Sequence, residues 1–470
     1  MFRTLRNNDI PDAEYYEERI HQKNRVILRL LNESLQHFHL GKEVYDMRTN
    51  TVKIIAVCVC TVIAFFVTPA AAQEMQKAYA DAELAKVREW EKTWVGKKID
   101  KTNVDQVAPF MLETLVDTIK KPDKWGAPPE GYYFTIRPYE FIPETPNFIA
   151  ASKANAGKAK LAADGSIENL TELAGRLFMD PGEDAMKMAW NFEMQNRGDS
   201  FSYRKYAPNV NPRSRSERVG DQQVSELYFI NRTEMDPKPV IPENKKGYRR
   251  GMFMHMFLPA EMINTRMYTL RYIDQKKEDD SYLWYSQFRR VRRMNTSQRT
   301  DAIDGTDLIY DDDYLWDGQL SRNNYTYKGK RELLTDRHDG GLLLKRVKGQ
   351  GFANNLSFER CNLLVVEAVN KDPHYIYSKR IWYLDPETYY IMHTEIYDKQ
   401  GRYWKMFFNT TTPLQSQTGV MKPVIVGTYY ADVQRTHNGL AMQQGINQPQ
   451  VSDPDVTVDW FTTSYLQKTY

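Results

Sequence analysis

The sequence feature that most constrains the fold is a series of three short segments, rich in aromatic and β-branched residues, joined by tight turns. The segments are residues 375–384, 389–397 and 402–410. Asp385-Pro386 opens the first link and Gly401 closes the second, which supplies the restricted and positive φ values that tight reversals need. Short segments with links this short predict an antiparallel meander. Further strands are predicted at residues 424–433, 440–444 and 456–466.

Apolar side chains occur on both faces of this predicted meander. Because side chains alternate along a strand, we expect Trp404, Met406 and Phe408 on one face and Tyr403 and Phe407 on the other. In a sheet with one solvent-exposed face, apolar and polar side chains would alternate more regularly along each strand. The second face must therefore be covered, either by helices alone or by helices together with an apolar ligand.

The covering helices are predicted in the N-terminal part of the chain. They occupy residues 74–94, a stretch that ends near Lys120, and residues 167–177. Their apolar residues recur at helical spacing, with Leu84, Val87 and Trp90 in the first helix and Met111, Leu115 and Ile119 in the second. The predicted fold is α+β and mainly β: a large curled antiparallel sheet, or incomplete barrel, wrapped around helices. We divide it into a helical and proline-rich part, residues 73–225, and a sheet part of the same domain, residues 226–470.

Residues 47–72 have the three parts of a secretory signal peptide. Arg48 and Lys53 precede an apolar run at residues 54–67, and small residues from Ala70 to Ala72 follow it. The apolar run is shorter than the roughly 20 residues that span a bilayer. We therefore expect cleavage before Gln73 and a periplasmic protein, with association to the outer membrane left open. Residues 1–46 are interpreted as a non-native or disordered extension.

Charge and cysteine content exclude several classes of function. The 64 basic and 61 acidic side chains leave a net charge of only +3, too balanced for the positive field of a nucleic-acid-binding protein. Cys58 and Cys60 lie in the signal peptide, so the mature chain keeps Cys361 alone and has no internal disulfide or cysteine zinc site. The sequence lacks a nucleophile elbow, a phosphate-binding glycine loop and a dinucleotide fingerprint. We therefore predict no catalytic residues, no metal and no cofactor.

The densest charge pattern lies between residues 282 and 317. A block of four arginines at residues 289–293 is followed by Arg299 and by several aspartates, including Asp311 to Asp313. One interpretation is an arginine–aspartate network that fixes strand register, because the arginine fork binds carboxylates through two bonds. The other interpretation is the entrance of a binding cavity, where the arginines bind the phosphate or carboxylate of a lipid, or an acidic partner protein. A calcium site at Asp311 to Asp313 is a weaker alternative, since the closing glutamate is missing.

The same region carries a resemblance to a known family. The motifs are Trp284-Tyr285, the arginine block 289–293, Asp304-Gly305-Thr306-Asp307 and Tyr310-Asp311-Asp312. They resemble the bacterial exported family called domain of unknown function 1329, over residues 74–470. That resemblance implies kinship with the outer-membrane lipoprotein carrier fold, an unclosed antiparallel barrel that wraps helices and holds an acyl chain. It also implies association with transporters of the resistance-nodulation-division type, and it supplies no catalytic residues. The aromatic and proline-rich segment 90–146 departs from the usual family opening.

The predicted function is that of a periplasmic carrier or accessory protein for a hydrophobic or lipid-like molecule, working with an inner-membrane transporter. The predicted apolar contacts are Trp284, Tyr285, Trp382, Trp404, Met406 and Phe408, with Arg290 and Arg292 near a polar head. Met252, Met254, Met256 and Met262 form a further adaptable patch. The alternative is an envelope interaction or structural protein with a filled barrel, which docks through its arginine region and holds no ligand.

Overall fold

The computed structural model describes residues 75–213, 216–295, 299–303, 306–338, 351–352, 354, 356–443 and 450–468. The predicted signal peptide and the predicted N-terminal extension lie outside these residues. Within them, the helices are α1 (Asp81–Trp94), α2 (Glu113–Lys120), α3 (Pro146–Asn155), α4 (Ala185–Glu193) and α5 (Thr463–Leu466). The strands are β1 (Lys98–Ile99), β2 (Phe134–Ile136), β3 (Ser200–Val210), β4 (Ser216–Tyr228), β5 (Tyr248–Leu258), β6 (Arg266–Tyr272), β7 (Asp280–Tyr285), β8 (Arg290–Arg293), β9 (Asn323–Thr335), β10 (Ser357–Asn370), β11 (Lys379–Leu384), β12 (Ile391–Tyr397), β13 (Tyr403–Gln415), β14 (Met421–Asp432), β15 (His437–Gln443) and β16 (Gln450–Val451).

The strands form one large sheet that does not close into a barrel. Its 16 strands run in the order β1-β2-β10-β11-β12-β13-β14-β15-β3-β4-β5-β6-β7-β8, with β9 beside β10 and β16 beside β3. Strand β2 runs parallel to β10, whereas the long ladders such as β13–β14 and β3–β4 are antiparallel. The predicted fold class, an unclosed and mainly antiparallel sheet with helices, is confirmed.

The predicted meander is confirmed as β11, β12 and β13. In its second turn the Asp398 carboxylate accepts hydrogen bonds from the backbone of Gln400 and Arg402, at 3.0 and 2.9 Å. Gly401 has φ of +74° there, a conformation that costs glycine little.

A bulge makes the predicted grouping of side chains in β13 wrong for Trp404 and Tyr403. Tyr397 pairs with Tyr403 but Ile396 pairs with Lys405, so the Trp404 position is an extra residue in the ladder. Alternation restarts after such a bulge. Met406 and Phe408 therefore share one apolar cluster with Tyr403, while Trp404 joins the opposite cluster with Phe407.

The helix predictions are partly confirmed. Helix α2 ends at Lys120 and buries Leu115 and Ile119 as predicted, and α1 is the first predicted helix with a later start. The prediction of a helix at residues 167–177 is wrong, because only the short 3-10 turn Leu170–Glu172 forms there.

Two helices of this part were missed by the sequence analysis, and both have clear start signals. Thr145 precedes Pro146 and accepts a hydrogen bond from the Phe148 amide at 3.4 Å. Asp184 accepts from the amides of Met186 and Lys187 at 3.0 and 3.1 Å. These are N-caps, and proline fits the first helical turn.

The C-terminal segment differs from its prediction. The prediction of a strand at residues 456–466 is wrong, because the chain there forms the 3-10 helix Val458–Phe461 and then α5. The aromatic residues that suggested a strand pack instead as side chains against β5, with the rings of Trp460 and Tyr465 each 5.4 Å from Phe253. The long strands of the sheet also begin earlier than predicted, with β3 at Ser200.

Both faces of the β10–β14 region are covered. On one face, α2 and the loops around it place Leu115 and Trp125 in a single apolar cluster with Met406, Phe408 and Tyr429. On the other face, α4 and the segment 308–320 fill the space over β11–β14. Among the described residues, three hollows lie beside β5, β6 and β7.

Candidate functional site

A buried cluster of charges ties the segment after β8 to the ends of β5, β6 and β7. The members of this ionic cluster are Arg250, Arg271, Arg299, Asp279, Asp311 and Asp317. Arg271 donates to Asp317 at 2.8 Å and to Asp279 at 2.9 Å. Arg299 donates to Asp311 at 2.6 Å and to Asp279 at 2.8 Å. The cluster therefore holds Arg299 and residues 311–317 across the ends of three strands.

The electrostatics of the ionic cluster favour the charged forms of its aspartates. Burial alone would raise the pKa of Asp317, but the guanidinium groups of Arg250 and Arg271 outweigh burial and hold that pKa well below its usual range. The pKa of Asp279 is lowered in the same way. Both carboxylates therefore stay ionised at neutral pH.

The predicted arginine–aspartate network is confirmed for Arg299, but the three neighbouring aspartates pair outside the arginine block 289–293. Asp311 pairs with Arg299, but Asp312 pairs with Arg380 at 2.7 Å and Asp313 with Lys205 at 2.8 Å. Since these side chains are far from the block in sequence, charge spacing alone could not identify them. Cationic side chains also occupy the three carboxylates that a calcium site would need.

A pocket of about 230 Å³ lies on one face of β5, β6 and β7, with residues 301–302 and 310 beside it. We call it the methionine pocket. Its apolar lining consists of Met254, Met256, Met262, Met267, Met294, Leu283, Tyr285 and Tyr310. Thr265, Asp301 and Ala302 complete it. Methionine side chains are unbranched and polarisable, so they adapt to ligands of different shape.

Strand register explains why these residues meet. Met254 is opposite Met267, and Met267 is opposite Leu283. Directly opposite residues in antiparallel strands project from the same face. The next strand continues the row, because Arg292 is opposite Leu283 and Arg290 is opposite Tyr285. The two arginines therefore stand on the pocket's face of the sheet, and both are exposed.

The sequence-predicted contacts do not form one site. Tyr285 lines the methionine pocket, with Arg290 and Arg292 on the same face. Trp284 lies on the opposite face, where the Arg266 guanidinium stands 5.3 Å from its ring.

The other four predicted contacts lie far along the sheet. Trp382, Met406 and Phe408 are fully buried among the protein's own side chains. The Trp404 indole donates to Asp432 at 2.8 Å. A ligand-contact role for these four residues stays a prediction.

Several pocket residues were missed by the sequence analysis. Alternating methionines in β5 pointed to Met254 and Met256, but Met267, Leu283 and Met294 gave no such local signal. Their position follows from register, which a single sequence does not reveal.

Two other hollows lie nearby. One of about 670 Å³ is lined largely by charged and polar side chains, including Lys246, Lys276 and Asp274. Another, of about 350 Å³, has an aromatic lining that includes Tyr248 and Phe461, with Asp280 at its side. Asp280 accepts there from Tyr272 at 2.6 Å and pairs with Arg293 at 2.7 Å. The methionine pocket combines a methionine-rich lining with arginines on the same face that have no acidic partner among the described residues, and this combination suits an amphipathic ligand.

Comparison with known proteins places this architecture in a family. The model of the family described as "Protein of unknown function (DUF1329)" matches residues 98–467. The chain belongs to the DUF1329 family. The resemblance noted in the sequence motifs is thereby confirmed, and the family match spans the strands of the methionine pocket. A search of curated proteins finds no match to this DUF1329 chain.

Solved structures similar to this DUF1329 protein share little sequence with it. One is a putative outer membrane lipoprotein-sorting protein domain from Vibrio parahaemolyticus, with 13% identity, a TM-score of 0.44, and coverage of 61% of this chain and 99% of that one. A DUF1329 family protein from Desulfovibrio piger has 13% identity, a TM-score of 0.43 and the same coverage, 61% and 99%. A LolA superfamily protein from Nitrosomonas europaea has 12% identity, a TM-score of 0.36, and coverage of 58% and 94%.

Two further observations concern the described residues of this DUF1329 protein. Every helix in these residues is too short or too polar to cross a membrane. The same residues contain no group of three or more His, Cys, Asp or Glu side chains that could hold a metal ion.

Proposed function

We propose that this protein is a periplasmic carrier or accessory protein that binds a hydrophobic or lipid-like molecule in the methionine pocket. The observation that carries the proposal is the juxtaposition of five methionines with Arg290 and Arg292 on one face of the sheet. The apolar lining would hold a chain, and a guanidinium would receive a phosphate or carboxylate head group.

The size of the pocket sets the scale of binding. A volume of about 230 Å³ admits about seven groups of the size of a water molecule, each taking roughly 30 Å³. Methylene groups in that number would contribute on the order of 6 kcal/mol, at roughly 0.8 kcal/mol each. The entropic cost of association offsets part of this. The pocket therefore suits reversible binding of a short acyl segment rather than enclosure of a whole lipid.

Ligand binding is tested with the chain from residue 73, purified from a periplasmic extract without detergent. Native mass spectrometry is expected to show a bound lipid-sized mass, and a fluorescent fatty-acid probe is expected to displace it. The variant Met267→Glu places a carboxylate in the pocket and should abolish probe binding, because an unpaired buried charge is costly. Phe408→Leu, a conservative change in the filled core, is the matched control and should leave binding intact. Binding lost in Phe408→Leu but kept in Met267→Glu would place the ligand elsewhere and refute the proposed pocket.

A second candidate function rests on the filled clusters around Trp382, Met406 and Phe408. A protein whose sheet is filled could act in the envelope through its surface alone, without a ligand. This function predicts that the purified protein contains no bound lipid and that neither variant binds the fluorescent probe. It also predicts that the protein forms a stable complex with another envelope protein.

The location and partner in the cell are part of the proposal. Release of the protein by osmotic shock would support the periplasm, and retention in the cytosolic fraction would contradict it. A working partnership with a transporter of the resistance-nodulation-division type comes from the family resemblance. It is tested by crosslinking in intact cells, where recovery of such a transporter with the wild-type protein is expected.

A further inference from the structure

Two hairpin tips lie side by side at one end of β5–β8. One is the loop between β5 and β6, and the other is the loop between β7 and β8. The Ser286 hydroxyl donates to the Ile263 carbonyl at 2.6 Å, and the Gln287 amide donates to the Glu261 carbonyl at 3.0 Å. These bonds hold the two loops together as one surface. We call it the tip surface, and its exposed members are Leu258, Ile263, Phe288, Arg289, Arg290 and Arg292.

Large apolar side chains are unusually exposed at the tip surface. Phe288 is 62% exposed, the highest value among the large apolar side chains of the described residues, and Ile263 is 45% exposed. Leu258 is exposed at the end of β5. Single exposed apolar residues are ordinary, but neighbouring ones mark a contact surface.

The charge of the tip surface is positive. Arg293 pairs with Asp280 at 2.7 Å, but Arg289, Arg290 and Arg292 have no acidic partner in the described part of the chain. The Arg292 guanidinium instead stands 6.0 Å from the Phe288 ring. Glu261 reduces the local positive charge by one. Because the whole chain carries only +3, any attraction to an anionic surface must arise from such a local patch.

We propose that the tip surface docks the protein onto the surface of an anionic lipid bilayer. An exposed aromatic ring can enter the headgroup region, while the arginines around it contact lipid phosphates. Met262 lies in the β5–β6 loop of the tip surface and also lines the methionine pocket. Docking would thus bring the pocket next to the membrane. The docking itself does not require the pocket to bind a ligand.

The arginines have a competing structural explanation. Strand β8 is the last strand in the sheet order, and charged residues on such an edge prevent pairing with other chains. This explanation predicts that removing the arginines causes self-association without changing any affinity for vesicles. The two explanations therefore differ in what they predict for membrane binding.

Vesicle flotation with the chain from residue 73 tests the proposal. Vesicles of phosphatidylcholine alone are compared with vesicles that also contain phosphatidylglycerol. Binding is expected only to the anionic vesicles, and it should weaken as salt shortens the Debye length from about 10 Å to about 3 Å. The double variant Arg290→Ser, Arg292→Ser should bind roughly 30-fold more weakly, from the usual contribution of two basic residues near an anionic leaflet. Phe288→Ser should also weaken binding.

Matched controls separate the tip surface from general effects. Lys86→Ser with Lys101→Ser removes two exposed charges elsewhere, and Val95→Ser removes an apolar residue that is 42% exposed. Both controls should bind vesicles as the wild type does. Equal binding by all variants, or self-association of the arginine variant in sedimentation with unchanged vesicle affinity, would overturn the proposal. Probe binding measured on the same variants distinguishes failure of docking from failure of the pocket.

Discussion

Replacing Asp317 with asparagine tests the role of the ionic cluster. The Asp317 side chain is 4% exposed, and its carboxylate accepts hydrogen bonds from Arg250 and Arg271. Arg299 lies 3.5 Å away. In the wild type, the three arginines of the cluster face three aspartates, and Arg250 also pairs with the buried Glu226 at 3.4 Å. Asparagine keeps the shape of the side chain but removes the carboxylate that all three arginines contact.

The expected loss of unfolding free energy is about 3–5 kcal/mol, the usual cost of removing one partner from a buried ion pair. That loss is a large fraction of the roughly 5–15 kcal/mol by which folded proteins are stable. Urea denaturation followed by far-UV circular dichroism measures it, and the midpoint should fall by roughly 1 M. The control Asp105→Asn removes an exposed pair with Lys120 and should cost less than about 1 kcal/mol.

Dependence on pH gives a second reading of the same change. The pKa of Asp317 is depressed in the folded state, so its stabilising contribution is present above the unfolded pKa of about 3.9 and is lost as pH falls. The difference between wild type and Asp317→Asn should therefore shrink below about pH 4. Hydrogen exchange should also show lower protection of residues 306–320 in the variant. A loss as small as that of Asp105→Asn, with unchanged exchange, would refute the view that the cluster holds this segment.

Two further predictions concern buried titratable side chains. Burial lowers the pKa of His393 to about 3. Below pH 6.5 the unfolded chain therefore takes up a proton at this histidine, whereas the folded protein does not, and the folded state loses stability. Replacing His393 with phenylalanine should remove about 2 kcal/mol of the stability lost between pH 7 and pH 5, measured by urea denaturation at both pH values. Equal pH dependence in the two proteins would contradict this. Burial also raises the pKa of the Cys361 thiol well above its usual range. In the chain from residue 73 we therefore expect no reaction of this thiol with a thiol reagent until urea unfolds the protein. Fast labelling of the native protein would contradict the burial of Cys361.

Much of the fold could be predicted from the sequence because its signals are local. The meander at β11–β13, the helix that ends at Lys120 and the apolar character of both sheet faces follow from residue type, spacing and turn chemistry. The family motifs around Trp284 and the arginine block are local as well. The absence of a strand at 456–466 was not predictable in this way, because Trp460 and Tyr465 have strand-like composition but pack against Phe253 across the tertiary structure.

The candidate site was predictable only in part. Alternating methionines in β5 indicated an adaptable apolar surface, and Tyr285, Arg290 and Arg292 were predicted near a ligand. Met267 and Leu283 join them because the ladders of β5, β6 and β7 place these residues opposite one another. A shift of one residue in either ladder would turn them to the other face.

The sequence by itself determined which residues are apolar, which are charged, and where strands and turns form. Tertiary structure decided which of them meet: that Asp312 pairs with Arg380, that Trp404 turns away from Met406, and that Met254 and Met267 share a pocket. The physical reason is that strand formation depends on neighbours along the chain, whereas pairing depends on register between strands, and a single bulge or long-range ion pair changes that register.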